Sequence, residues 1–113
     1  LVKVGDEYVG PTPEAAAAIL DNSEEVAPDA SIFAYELDRE TEAQGTYPIV
    51  LVSYEIACTA YDDEAQADIV REFLRYVISP EGQEAAAQNA GSAPISQALR
   101  RQIEPVVDAI GAG

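Results

Sequence analysis

The sequence has 113 residues, in which six Lys and Arg face 21 Asp and Glu for a net charge of −15. That length suits one domain, and the acidity excludes nucleic-acid binding and docking on anionic membranes, which both draw affinity from basic groups. No apolar run approaches the ~20 residues of a transmembrane helix, and a hydrophobic content of 48% fits the globular class.

The chain has one cysteine, Cys58, and no histidine. An internal disulfide is excluded, as are Ser–His and Cys–His nucleophile pairs and His-ligated zinc within this chain. Cys58 lies in an apolar stretch and is expected to be a small core residue. No catalytic residue, metal ligand or cofactor is expected, and the chain does not read as an enzyme. Leu1 follows no Met, and Gly111-Ala112-Gly113 reads as a linker-like tail, so both ends are expected to be cuts in a longer polypeptide.

Leu1–Val4 against Tyr8–Val9 reads as a hairpin about Gly5-Asp6. Thr12 as N-cap, Pro13 at the first helical position and Glu14 in the first turn then predict a helix through Leu20, ending near Asp21-Asn22-Ser23. Pro28 breaks the irregular stretch that follows. Ser31–Leu37 reads as a strand and Asp38–Gly45 as a loop. Tyr47–Tyr61 carries the strongest β signal: Ile49–Val52 is apolar without interruption, as in a strand buried on both faces, and a bend falls near Ser53–Glu55. Pro48 belongs at its start. Asp62-Asp63-Glu64 opens a helix whose stripe is Ala65, Ile69, Phe73 and Val77, with Val70 and Leu74 beside it. Ser79-Pro80-Glu81 starts another, closed by Ala90-Gly91. A last helix holds Leu99, Ile103, Val107 and Ile110 on one face, and Pro105 should kink it or divide it in two. Apolar strands flanked by helices predict an α/β chain with a few-stranded sheet.

Several constellations have a functional and an ordinary reading. Asp62-Asp63-Glu64 lacks the alternation and central glycine of a calcium loop and reads as helix-start acids. Glu24-Glu25 and Asp38–Glu42 read as solvated loop charges. Glu55, inside the long strand, is either a carboxylate near a cleft or a solvent-facing residue at the bend. Arg100-Arg101 is the densest positive spot and reads as helix surface, with a phosphate contact as the alternative. Tyr47, Tyr54 and Tyr61 read as packing residues. The glycines build no phosphate loop, and acids occupy the helix starts that would otherwise attract an anion.

Four motifs in order carry a resemblance. They are Val2-Lys3-Val4-Gly5-Asp6-Glu7 leading to Gly10-Pro11-Thr12; Thr46-Tyr47-Pro48-Ile49-Val50 with Ser53-Tyr54-Glu55-Ile56-Ala57; Val70–Val77; and Gly82-Gln83, Gly91 and Ala93-Pro94-Ile95. Together they resemble the C-terminal third of phosphate-binding proteins of the PstS type, which feed ABC importers. The resemblance implies a periplasmic-binding-protein-like (type II) fragment, cut from two α/β lobes joined by hinge strands. Residues 1–46 would end the second lobe (hairpin, helix, loop). Residues 47–113 would return into the first lobe as a hinge strand and three helices, with the hinge at Thr46, Tyr47 and Pro48. The family's phosphate ligands lie earlier in such proteins, so no ligand-binding residue is carried over to this chain. The implied function is capture of inorganic phosphate for ABC permease subunits, outside the cell or in the periplasm, by a parent lipoprotein anchored to the cell membrane. Sulfate or molybdate as ligand, or a surface interaction domain without transport, are the alternatives. Because Ile49–Ala57 would lack flanking strands in this chain, self-association about the Gly45–Pro48 crossing is also expected.

Overall fold

The computed structural model describes residues 1–27 and 29–113. Pro28, where the sequence suggests a break, lies outside the described residues. The chain begins with an antiparallel hairpin of β1 (Val2–Val4) and β2 (Glu7–Val9), in which Val2 faces Val9 and Val4 faces Glu7. Gly5 has φ +56° while Asp6 does not turn positive, the pattern of a type II′ turn, whose twist matches that of the flanking strands. The pleat sends Val4 and Val9 inward and leaves Lys3 and Tyr8 exposed.

Helix α1 (Pro13–Asp21) starts where its cap predicts. The Thr12 hydroxyl accepts a hydrogen bond from the Ala15 N–H at 3.2 Å, and Pro13 occupies the first turn. Ala15 packs with Val4 and Val9 as a small core, against which Val2 and Tyr47 lean, and Ile19 is fully buried. After α1 the chain forms a second antiparallel ladder of β3 (Glu24–Glu25) and β4 (Tyr35–Glu36). The strand expected over Ser31–Leu37 thus shrinks to two residues, and Glu24-Glu25, read as loop charges, are its partner.

The long strand expected over Tyr47–Tyr61 contributes only β5 (Ala60–Tyr61). A strand exists by the hydrogen bonds it exchanges with a neighbour, and no described segment of the chain exchanges backbone hydrogen bonds with Ile49–Ala57. The consequence reaches Cys58, which is an exposed free thiol and not a core residue.

The second half is helical. Helix α2 (Glu64–Ile78) is capped by the Asp63 carboxylate on the Ala65 N–H at 2.9 Å. Helix α3 (Pro80–Ala90) is capped by Ser79 and closed by Gly91 at φ +68°, and helix α4 (Gln97–Asp108) is capped by Ser96. The three helix starts expected at Thr12-Pro13, Asp62–Glu64 and Ser79-Pro80 all appear. Pro105 lies inside α4 without dividing it. The tail, read as a linker, instead forms β6 (Gly111–Ala112), which pairs in parallel with β5, Ala60 opposite Gly111. The chain therefore holds four helices and three separate two-stranded ladders among the described residues, a mixed arrangement in place of one sheet covered by helices.

Helix α2 also faces the other way from its apolar stripe. Ile69 and Phe73 are 70% and 57% exposed, while Ala67 is fully buried and Arg71, Leu74 and Ile78 are partly so. Polar contacts to α4 and the turn after it explain the rotation. Arg71 Nη1 donates to the Ile110 carbonyl at 2.8 Å, Arg75 Nε to Asp108 Oδ1 at 2.8 Å, and Arg100 Nε to the Ile78 carbonyl at 2.7 Å. Their order makes α2 and α4 antiparallel.

The α2–α3 corner is the tightest point in the chain. A Cβ on Gly82 would stand 1.9 Å from the Tyr76 carbonyl oxygen. Replacing glycine by alanine inside a helix ordinarily stabilises by about 1 kcal/mol. Here the sign should reverse: Gly82→Ala is expected to destabilise the chain by about 1–3 kcal/mol through overpacking against backbone, read as a lower denaturant midpoint at unchanged m-value.

Candidate functional site

Thr46, Tyr47 and Pro48, the residues expected at a lobe crossing, sit together against the first half of the chain. Thr46 is fully buried, and its hydroxyl accepts from Asn22 Nδ2 at 3.2 Å. Asn22, just past the end of α1, donates from the same nitrogen to the Ala18 carbonyl at 2.8 Å. The Tyr47 N–H donates to the Ala15 carbonyl at 2.8 Å. Pro48 is buried; its carbonyl accepts from Arg39 Nη1 at 2.9 Å, and the Val50 carbonyl accepts from Nη2 of the same guanidinium at 3.2 Å. The Gly45 N–H donates to Glu7 on the hairpin. The chain is thus pinned up to Val50, and beyond it the Tyr54 hydroxyl still reaches the Tyr35 N–H.

The two halves meet through α4. The Ser96 hydroxyl, which caps α4, also donates to Asp21 Oδ1 at 3.0 Å. Open clefts flank this bond. One of about 340 Å³ has walls of Pro13, Ala17 and Pro94, with Glu14 and Asp21 at its rim. The other, about 330 Å³, lies among Leu20, Tyr35 and Leu99, with Asp21 and Glu25. Burial pushes the Tyr35 phenol above its ordinary range, and the Glu25 and Asp21 carboxylates beside it add to the shift. Neither lining contains Lys or Arg, so both clefts are negative and unsuited to an inorganic anion.

The remaining sequence candidates do not converge. Asp63 is occupied as a helix cap, Asp62 and Glu64 are exposed, and no three metal-ligating side chains cluster among the described residues. Glu55 is exposed outside any strand. Tyr54 accepts from the Tyr35 N–H at 3.2 Å through its hydroxyl, and Tyr61 accepts from the Cys58 N–H at 3.0 Å. Arg101 is exposed, while Arg100 is partly buried on the end of α2. Sequence reasoning missed Asn22 and Arg39. The only signal for Arg39 was a lone cation among the acids of 38–42.

The Gly82-Gln83…Gly91…Ala93-Pro94-Ile95 pattern acquires a physical meaning. Gly82 permits the close corner. Gln83 donates from Nε2 to the Val77 carbonyl and accepts from the Ile95 N–H through Oε1, both at 2.8 Å, tying the end of α2 to the link that enters α4. Gly91 turns left-handed to end α3.

No protein-family model matches the chain, and no solved structure matches it significantly. Among curated proteins, Phosphate-binding protein PstS 2 of Mycobacterium tuberculosis strain H37Rv is 37% identical over 109 residues, 96% of this chain. By sequence, this chain corresponds to the C-terminal portion of PstS-type phosphate-binding proteins. The PstS 3 protein of the same strain is 38% identical over 66 residues, and that of Mycobacterium leprae 28% over 109 residues. The chain spans about a quarter of the length of the curated relatives it matches, 27% for PstS 2. In this PstS-like segment the four motifs serve structure: the hairpin, the pinned residues 46–50, the helix facing α4 and the Gly-Gln corner.

Thr46→Val keeps the shape and deletes the buried hydroxyl that receives Asn22. It is expected to cost about 1 kcal/mol, measured by urea unfolding. Gln83→Leu strands the Ile95 N–H and the Val77 carbonyl, and should cost about 1–3 kcal/mol with faster amide exchange at Ile95.

Proposed function

We propose that the chain is the C-terminal part of a solute-binding protein that captures inorganic phosphate for an ABC importer. The observation that carries this reading is the 37% identity running through 96% of the chain to a phosphate-binding protein. In the parent, a periplasmic-binding-protein-like (type II) molecule, residues 1–46 end one lobe and residues 47–113 return into the other. Thr46, Tyr47 and Pro48 make the crossing. Their fixation on α1 and the hairpin supports this, because a lobe moves as a rigid body only if the chain is held up to the point where it leaves. The thin junction through Ser96 and Asp21, with open clefts on both sides, also suits lobes that shift against each other.

The phosphate ligands belong to other parts of the parent, and the acidic clefts here take no part. The parent is read as a receptor and not an enzyme, a reading supported by the name of the similar PstS proteins as phosphate-binding proteins. It works outside the cell or in the periplasm, anchored to the cell membrane and delivering phosphate to permease subunits.

A graft tests the reading. The matching C-terminal quarter of M. tuberculosis PstS 2 is exchanged for this chain, and phosphate and sulfate are titrated calorimetrically into the purified protein. Phosphate binding within about tenfold of the unexchanged protein, without competition from sulfate, is the expected result. A folded graft that has lost phosphate would sink the assignment. The 113-residue chain alone should show no micromolar phosphate affinity.

A further inference from the structure

The chain from Thr46 to Val50 has few torsions left free. Thr46 is buried against Asn22, and the Tyr47 N–H is bound to the Ala15 carbonyl. The ring of Pro48 fixes its own φ and confines Tyr47, before it, to extended backbone. What remains is ψ of Pro48 and the torsions of Ile49 and Val50. The Arg39 guanidinium spans these. Its Nη1 donates to the Pro48 carbonyl at 2.9 Å and its Nη2 to the Val50 carbonyl at 3.2 Å. Carbonyls two residues apart point to the same side while the residue between them is extended. A planar guanidinium with donors in a rigid fork therefore holds both at once in one backbone conformation.

Arg39 is directed at these carbonyls in a place rich in carboxylates. Asp38, Glu40 and Glu42 adjoin it in sequence, yet among the described residues Arg39 takes part in no ion pair. The turn that carries it is held from behind. Asp38 Oδ1 accepts from the Glu40 N–H at 3.2 Å, and the Asp38 N–H donates to Ser23 Oγ at 3.1 Å. The Ser23 hydroxyl in turn donates to the Ile19 carbonyl in the last turn of α1. A continuous set of hydrogen bonds thus runs from α1 through Ser23 and the 38–40 turn to the first carbonyls at and beyond Pro48.

We propose that Arg39 is a latch on the crossing: a positioning residue that fixes the angle at which the chain leaves the lobe of residues 1–46, and with it the relative orientation of the two lobes. The proposal rests on the reading of Thr46–Pro48 as the crossing and not on phosphate as the ligand. A hinge is a few residues that absorb a φ/ψ change, and a side chain that locks those torsions narrows the range of lobe orientations. A ligand held between lobes engages only the competent fraction of them, so the latch acts on affinity through the backbone, without touching the ligand. Bonds from an ionised donor are stronger than neutral ones, and a guanidinium stays charged at every working pH, so the latch does not titrate.

The test uses the full-length PstS 2 graft, in a Cys58→Ser background with one spin label on each lobe. In the unliganded protein, Arg39→Ala should broaden the distribution of lobe–lobe distances measured by electron–electron resonance. Phosphate affinity should fall about tenfold, or about 1.4 kcal/mol. Arg39→Lys keeps the charge, but a single point donor on a flexible stem does not fork over both carbonyls; it should match Arg39→Ala in both measurements. Arg101→Ala removes the same charge from an exposed helix position and should change neither. An unchanged distance distribution in Arg39→Ala overturns the proposal, and a lower urea midpoint beside it would make Arg39 a packing residue only. Wild-type behaviour of Arg39→Lys overturns it too, as does complete loss of phosphate binding at unchanged lobe distances, which would make Arg39 a ligand. A graft that binds no phosphate defeats the ligand assignment, while the distances, taken without ligand, still decide on the latch.

Discussion

The second half of the molecule depends on the contact between Gly82 and the carbonyl end of α2. Because position 82 has no side chain, α3 can double back within one residue of α2, with Ser79 serving as C-cap of the first helix and N-cap of the second. That fold-back brings Gln83 under Val77 and within reach of Ile95. Fixing Ile95 sets the start of α4 at Ser96, and the start of α4 sets which of its residues meet α2. Arg71, Arg75 and Arg100 then find carbonyl and carboxylate partners across the antiparallel pair. Small size at one position thereby governs the register of a helix more than a dozen residues later.

Polar contacts, more than apolar area, decide the orientation of α2. Ile69 and Phe73 are turned outward, and the inward face is built on Ala67, Leu74, Ile78 and the stem of Arg71. Long cationic side chains cover apolar surface with their methylenes while their heads find acceptors, so such a face buries area beyond what its aliphatic residues supply. An outward Ile69 and Phe73 are also what a helix shows when a further layer of protein normally lies on it. The first half has the opposite character: a compact apolar nucleus of Val4, Val9 and Ala15 with the Thr46 hydroxyl buried at its edge.

What the sequence discloses follows from the range of each interaction. Caps are local: the side chains of Thr12, Asp63 and Ser79 lie within three residues of the backbone N–H they accept from, and Gly91 ends α3 through its own left-handed backbone. The hairpin is equally local, through Gly5-Asp6. The stripe of α2 misleads because the partners of Arg71 and Arg75 are more than thirty residues away. The long β signal at 47–61 reports a true preference of the side chains, but a ladder requires a second strand, and propensity does not supply one. At Thr46–Pro48 the sequence marks Pro48 as a strand start, but no strand begins there, and Asn22 and Arg39 hold these residues through contacts that no spacing rule encodes.

The parallel ladder of β5 and β6 bears on how the chain acquires its shape. Ala60 and Gly111 are about fifty residues apart, with three helices between them, and a closure of that span carries an entropy cost that local helices and the hairpin escape. The hairpin with α1 can settle while later residues are still being made, since synthesis adds only about 5–20 residues per second. The second half must wait until Gly111–Gly113 have emerged before Gly111 can donate to Thr59 and Gly113 to Tyr61. Maturation is therefore staggered, and during the interval Ala60–Tyr61 and the apolar segment before them are open together.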